Sequence, residues 1–198
     1  MKECHCIFSI FGATGDLTNR KLLPALYYLE QEGYLKEDFK VVAIARKEKT
    51  DGQYREEAAD SIRRFSKRKV KDDVLKKLVS RLYYHQLEFS DSAAYIRLKE
   101  IIEKLASDKC TKCDRIFYLA VPSSFFGMII HSLKRLKLAE RERPGKPYNR
   151  VMFEKPFGHD LKLSRDLNKV ITKVFAESQI YRIDHYMAKE LVQNLIVL

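Results

Sequence analysis

The chain has 198 residues, with 38 lysines and arginines against 27 aspartates and glutamates, a net charge of +11 and a hydrophobic share of 45%. This is the composition of one globular domain with room for the first elements of a second, and it excludes collagenous and linker-like chains. No apolar run approaches the ~20 residues needed to cross a bilayer, and the N-terminus lacks the pattern of a secretory leader, so a cytoplasmic protein without a membrane partner is expected.

In chain order, the apolar periodicity predicts a strand at 4–11, a helix at 16–31, a strand at 40–45, helices at 51–65 and 72–81, and a strand at 82–87. A helix at 92–107, a strand at 114–120, a helix at 123–138, a strand at 150–153, a helix at 160–175 and a strand at 179–183 follow, with a last helix from Tyr186 onward. This alternation is that of an α/β protein with a doubly wound, mostly parallel Rossmann-type sheet. Continuous apolar runs such as Ile116-Phe117-Tyr118-Leu119-Ala120-Val121 suit strands covered on both faces. The apolar helical pattern at 191–198 stops without a capping residue, which predicts a fragment or split subunit whose continuation covers that face.

The first strand runs into Gly12-Ala13-Thr14-Gly15-Asp16-Leu17 and then an amphipathic helix. A glycine turn lets backbone approach a diphosphate, and the helix start offers free N–H groups and a positive dipole end. The spacing is looser than the full dinucleotide fingerprint, and its position between strand one and helix one carries the weight. After the second strand, where an NAD enzyme places an acid against the ribose hydroxyls, stand Arg46, Lys47 and Lys49. An arginine there suits a 2′-phosphate and favours NADP, the alternative being a solvated basic loop.

Two clusters of ionisable residues close later strands: Glu154-Lys155-Pro156-Phe157-Gly158, and Arg182-Ile183-Asp184-His185-Tyr186 running on to Lys189. Carboxyl ends of strands are where ligands bind in open α/β sheets. If Tyr186 onward is helical, His185 and Lys189 lie one turn apart on one face and can grip the same phosphate. Asp184 beside them can orient or stabilise an imidazolium.

These blocks, with Gly12 to Leu17, Leu22-Leu23-Pro24-Ala25-Leu26, Arg46 and Phe117-Tyr118-Leu119-Ala120-Val121-Pro122, closely resemble the glucose-6-phosphate dehydrogenase family over essentially the whole chain. The resemblance implies that Gly12, Ala13, Thr14, Gly15, Asp16, Leu17, Thr18, Asn19, Arg46 and Tyr118 hold NADP, with Lys155 between nicotinamide and sugar. It implies that His185 and Lys189, helped by Tyr186, grip the 6-phosphate of glucose 6-phosphate. Residues 1–185 then form the NADP-binding domain, and 186–198 the first helix of a substrate and dimerisation domain otherwise missing here. The family's general base is a histidine beyond residue 198, paired there with the counterpart of Asp184, so turnover is expected to need a C-terminal partner segment, with a homo-oligomer the other expected association. A nucleotide or sugar-phosphate binding module without catalysis is the alternative. Met187 and Ala188 replace the family's usual leucine and glycine.

Four cysteines fall as Cys4-His5-Cys6 and Cys110-Thr111-Lys112-Cys113, just before strands one and four. Neighbouring strands would bring the pairs together at the edge opposite the cofactor, as a thiolate site for zinc or an iron–sulfur cluster or as plain reduced thiols. The basic run 63–69 has no nucleic-acid motif around it and reads as a solvated helix end.

Overall fold

A computed structural model describes residues 6–107, 113–143, 148–154 and 161–183. Six strands, β1 (Cys6–Phe11), β2 (Lys40–Ala45), β3 (Leu82–Gln86), β4 (Asp114–Leu119), β5 (Asn149–Glu154) and β6 (Ile180–Ile183), form one sheet in the order β3-β2-β1-β4-β5-β6. Every neighbouring pair is parallel. The expected doubly wound Rossmann-type sheet is thus present, with no antiparallel pair among the described residues.

Successive side chains on a strand point to opposite faces, and here both faces are packed. On one, Ile7, Phe11, Val42, Phe117 and Leu119 meet α4 (Ser92–Ser107), α5 (Phe126–Arg135) and α6 (Leu161–Thr172) through Tyr95, Leu98, Ile130 and Ile171. On the other, Phe8, Ile10, Val41, Ala43 and Tyr118 meet α1 (Leu23–Gln31), α2 (Asp51–Phe65) and α3 (Asp72–Val79) through Tyr27, Tyr54, Ile62 and Leu78. Double coverage is why the strands read as unbroken apolar runs. From β1 the chain winds outward to β3, then returns through α4 to β4 on the other side of β1. The carboxyl ends of β1 and β4 therefore flank the crevice where the connections diverge.

Two predicted helices differ in detail. The helix beginning at Asp16 widens into a π-turn at Thr18–Leu22, where the Leu23 amide donates to the Thr18 carbonyl. The cause lies at Pro24, which has no N–H for the Arg20 carbonyl and whose ring crowds that oxygen. The helix expected over 123–138 opens as a 3-10 turn, Ser123–Phe125, and α5 ends at Arg135. Lys137 takes a left-handed φ of 57°, so that the Leu138 amide turns back to the Leu133 carbonyl at 2.9 Å and the Lys137 amide to that of Lys134 at 3.0 Å. This is a Schellman cap, and Leu138, packed into the core, anchors it. The last predicted helix, with the domain division at 185 and 186, lies outside the described residues. Among the described residues no helix is long and apolar enough to cross a membrane.

Candidate dinucleotide site

The turn after β1 is held from three directions. The amides of Gly12 and Ala13 both donate to the Ile44 carbonyl of β2, at 2.9 and 3.0 Å. The Ala120 amide, just past β4, donates to the Phe11 carbonyl at 2.8 Å. Inside the turn, the Gly12 carbonyl accepts from the Gly15 amide and from the Thr18 hydroxyl, each at 3.0 Å. Gly12 has φ +91°, and a β-carbon there would lie 2.2 Å from the Ala120 oxygen. Only glycine meets both conditions.

The first intrahelical bond runs from the Asn19 amide to the Gly15 carbonyl at 3.1 Å. The amides of Asp16, Leu17 and Thr18 ahead of it have no acceptor within the helix, and they carry its positive end. Gly15, Asp16 and Leu17 edge a cleft of about 430 Å³, whose wall continues along the connection from Ala120 to Ser124 and to Glu154 at the end of β5. A glycine turn that leads into a helix start at the rim of a cleft suits a diphosphate.

The nominated turn residues occupy different places. Ala13 and Thr18 are fully buried. The Thr18 hydroxyl closes the turn, and the Ala13 carbonyl accepts from Tyr54 at 3.3 Å. Asn19 reaches back to the Thr14 carbonyl at 3.5 Å. Asp16 is exposed and 3.8 Å from Arg20.

Arg46 stands exposed two residues beyond Ile44, the residue that clasps the turn, so the neighbouring strands bring Arg46 and Gly12 to the same edge. Its carbonyl accepts from Gln86 at 3.2 Å, and the next carbonyl, that of Lys47, accepts from Tyr84. Burial, then the charge of Glu57, push the Tyr84 phenol up to about 12, which keeps it a donor. Lys49 pairs with Glu57 and turns its charge to α2.

Tyr118 lies buried in the face under α1 and α2, and its hydroxyl donates to Glu154 Oε1 at 2.6 Å. Burial, and then its bond to that carboxylate, hold the phenol far above its ordinary value. Sequence reasoning gave Glu154 no role beyond its motif, and it missed Ser123 and Ser124 on the cleft wall. The usable signal for all three was position, since each follows or ends a strand at its carboxyl edge.

Lys155, Asp184, His185, Tyr186 and Lys189 lie outside the described residues. Glu154 and Ile183, which precede Lys155 and Asp184 within the two motif segments, are register partners on β5 and β6. Of the cysteines, Cys4 and Cys110 also lie outside. Cys6 is half-buried opposite Asp114, and Cys113 is buried next to it, at the edge away from the cleft. Among the described residues no group of three or more histidine, cysteine or acidic side chains is placed to hold a metal.

The family model for the NAD binding domain of glucose-6-phosphate dehydrogenase matches residues 9–194. A curated relative, glucose-6-phosphate 1-dehydrogenase of Chlamydia pneumoniae, is 43% identical over 192 residues, covering 96% of this chain and 38% of that protein. The enzyme of the same name from Bacillus subtilis is 37% identical over 197 residues, covering 100% of this chain and 38% of its own. A solved structure, a glucose-6-phosphate dehydrogenase in complex with its substrate glucose-6-phosphate, superposes with a TM-score of 0.84 at 34% identity, over 98% of this chain and 39% of that one. The chain thus spans less than half the length of the relatives it matches.

Proposed function

We propose, since this chain belongs to the glucose-6-phosphate dehydrogenase family, that it is the coenzyme-binding part of an enzyme that oxidises glucose 6-phosphate to 6-phosphogluconolactone with NADP⁺. The observation that carries this reading is the glycine turn, clasped at Gly12 between β2 and β4, whose far side, Gly15 to Leu17 at the helix start, forms the wall of a cleft at the carboxyl edge of the sheet. The nicotinamide would accept the hydride from the sugar's C1. The protein's part is to hold and orient the reactants.

Gly12, Ala13, Thr14, Gly15, Asp16, Leu17, Thr18 and Asn19 form the diphosphate turn, directly or by closing it. Arg46 takes the 2′-phosphate, a role supported by its place beside the turn and the anchored carbonyls that shape its loop. Tyr118 serves the cofactor, while Lys155 serves both cofactor and sugar. His185, Tyr186 and Lys189 bind the sugar phosphate, and Asp184 orients a general base supplied from outside these 198 residues. A C-terminal segment or a second copy completes the substrate side, and the enzyme works in the cytoplasm.

The test is calorimetric titration of the chain with NADP⁺, NAD⁺ and glucose 6-phosphate, followed by an absorbance assay for NADPH. NADP⁺ is expected to bind more tightly than NAD⁺, and glucose 6-phosphate to bind without turnover. Failure of both dinucleotides to bind overturns the reading, and turnover by the chain alone overturns the assignment of the base to another segment.

A further inference from the structure

Glu154 is one of two carboxylates, with Asp16, on the cleft wall. It ends β5, while the glycine turn ends β1, and β4 lies between them. At a strand spacing of ~4.8 Å this puts Glu154 about 10 Å across the sheet edge from the turn. Arg46 lies on the opposite flank of the turn, beyond β2. A dinucleotide with its adenosine phosphate at Arg46 and its diphosphate over the turn must lay its nicotinamide half toward β4 and β5. The other carboxylate on the cleft wall, Asp16, sits at the turn beside Arg20. Glu154 accepts a hydrogen bond at 2.6 Å from the hydroxyl of Tyr118, which is 3% exposed. That bond leaves the carboxylate's charge in place.

The two redox forms of the cofactor differ where this carboxylate lies. The oxidised nicotinamide ring is a cation and the reduced ring is neutral. We infer that Glu154, held by Tyr118, is a specificity-determining residue that favours the oxidised ring over the reduced one. The charge it contributes acts on the ring whatever else touches the carboxylate, because the comparison is between two ligands at one site. The effect promotes capture of NADP⁺ and release of NADPH, the direction in which the proposed oxidation runs. This inference rests on the reading that the cleft takes a nicotinamide dinucleotide.

The test measures dissociation constants for NADP⁺, NADPH and 2′,5′-ADP with the unmodified chain, Glu154→Gln and Tyr118→Phe. The chain has no tryptophan, so NADPH fluorescence is read without protein background and the other ligands by displacement. Glu154→Gln keeps an acceptor for Tyr118 and removes only charge. It is expected to weaken NADP⁺ relative to NADPH by about tenfold and to leave 2′,5′-ADP, which has no nicotinamide, within about twofold. Tyr118→Phe is expected to shift the ratio the same way by about two- to threefold, since the carboxylate keeps its charge and loses its anchor. Equal weakening of NADP⁺ and NADPH by Glu154→Gln overturns the inference in favour of a hydrogen bond common to both forms, and leaves the cofactor reading intact. Failure of the unmodified chain to bind any of the three ligands overturns both.

Discussion

Gly12 and Ala120 approach so closely that the ends of β1 and β4 leave no space for a side chain between them: a β-carbon on Gly12 would lie 2.2 Å from the Ala120 oxygen and 2.9 Å from its carbonyl carbon. Both contacts are backbone, so no rotamer change relieves them. Gly12→Ala is expected to cost about 2–4 kcal/mol of folding stability, from the clash and the positive φ together. It should also remove dinucleotide binding, because the turn moves away from the diphosphate position. Denaturant unfolding and calorimetry check both parts. A variant as stable as the parent would mean that β4 shifts to accommodate the methyl group.

The alternation of strands and helices and the doubly wound sheet were legible in the sequence, because strands covered on two faces leave long apolar runs bounded by turns. The position of Arg46 beside the turn followed from the same reasoning, since consecutive strands β1 and β2 pair directly. The Tyr118–Glu154 bond was not legible. It joins residues on neighbouring strands, and it exists only because Tyr118 pairs with Met152, two positions short of Glu154. No local pattern encodes that register. Likewise Thr18 reads from sequence as part of a ligand turn, but its burial beneath Gly12 follows from the helix path, including the π-turn forced by Pro24. The expected sugar-phosphate residues lie outside the described residues; His185 and Lys189 rest on helical spacing and on the motifs, Lys155 and Tyr186 on the resemblance alone.

Arg46→Ala separates the two cofactors. If Arg46 takes the 2′-phosphate as proposed, its exposed guanidinium meets that group in NADP⁺ and not in NAD⁺. NADP⁺ affinity should fall by about ten- to a hundredfold, with NAD⁺ changing less than about twofold. Titration with both dinucleotides gives the answer, and equal losses would assign Arg46 to the loop's shape.

Away from the cleft, Glu30 is 3% exposed at its side chain and pairs with Arg81, with Lys77 at 3.3 Å on its other oxygen. Arg81 also donates to the Lys36 carbonyl at 2.8 Å and ties the end of α3 to the loop before β2. Arg81→Met leaves the buried carboxylate with Lys77 alone, and a loss of about 2–4 kcal/mol is expected. Pairing it with Glu30→Leu removes the under-compensated charge and should restore more than half of that loss. Urea unfolding of the single and double variants checks this, and a double variant no better than the single would show that the carbonyl contacts dominate.

His85, on β3, gives the fold an acid-sensitive point. The residue is 7% exposed, and Nε2 lies 2.9 Å from the Ala94 carbonyl, which accepts a hydrogen bond from the protonated Nε2. Burial pulls its proton affinity below the ordinary histidine value of 6.5; the bond to Ala94 opposes this, and the charge of Arg97 adds to it. The sign follows from the balance of protons. Between the lowered folded value and the unfolded value, the unfolded chain binds more protons, so stability present above about pH 6.5 is lost as the pH falls through that window. His85→Leu should flatten this part of the stability–pH curve, measured by urea midpoints from pH 7.5 to 5. The leucine keeps the apolar packing of the ring's surroundings, while the Ala94 carbonyl, inside α4, remains an acceptor for the helix backbone. A curve with the same acid slope in both proteins would assign the sensitivity to other groups.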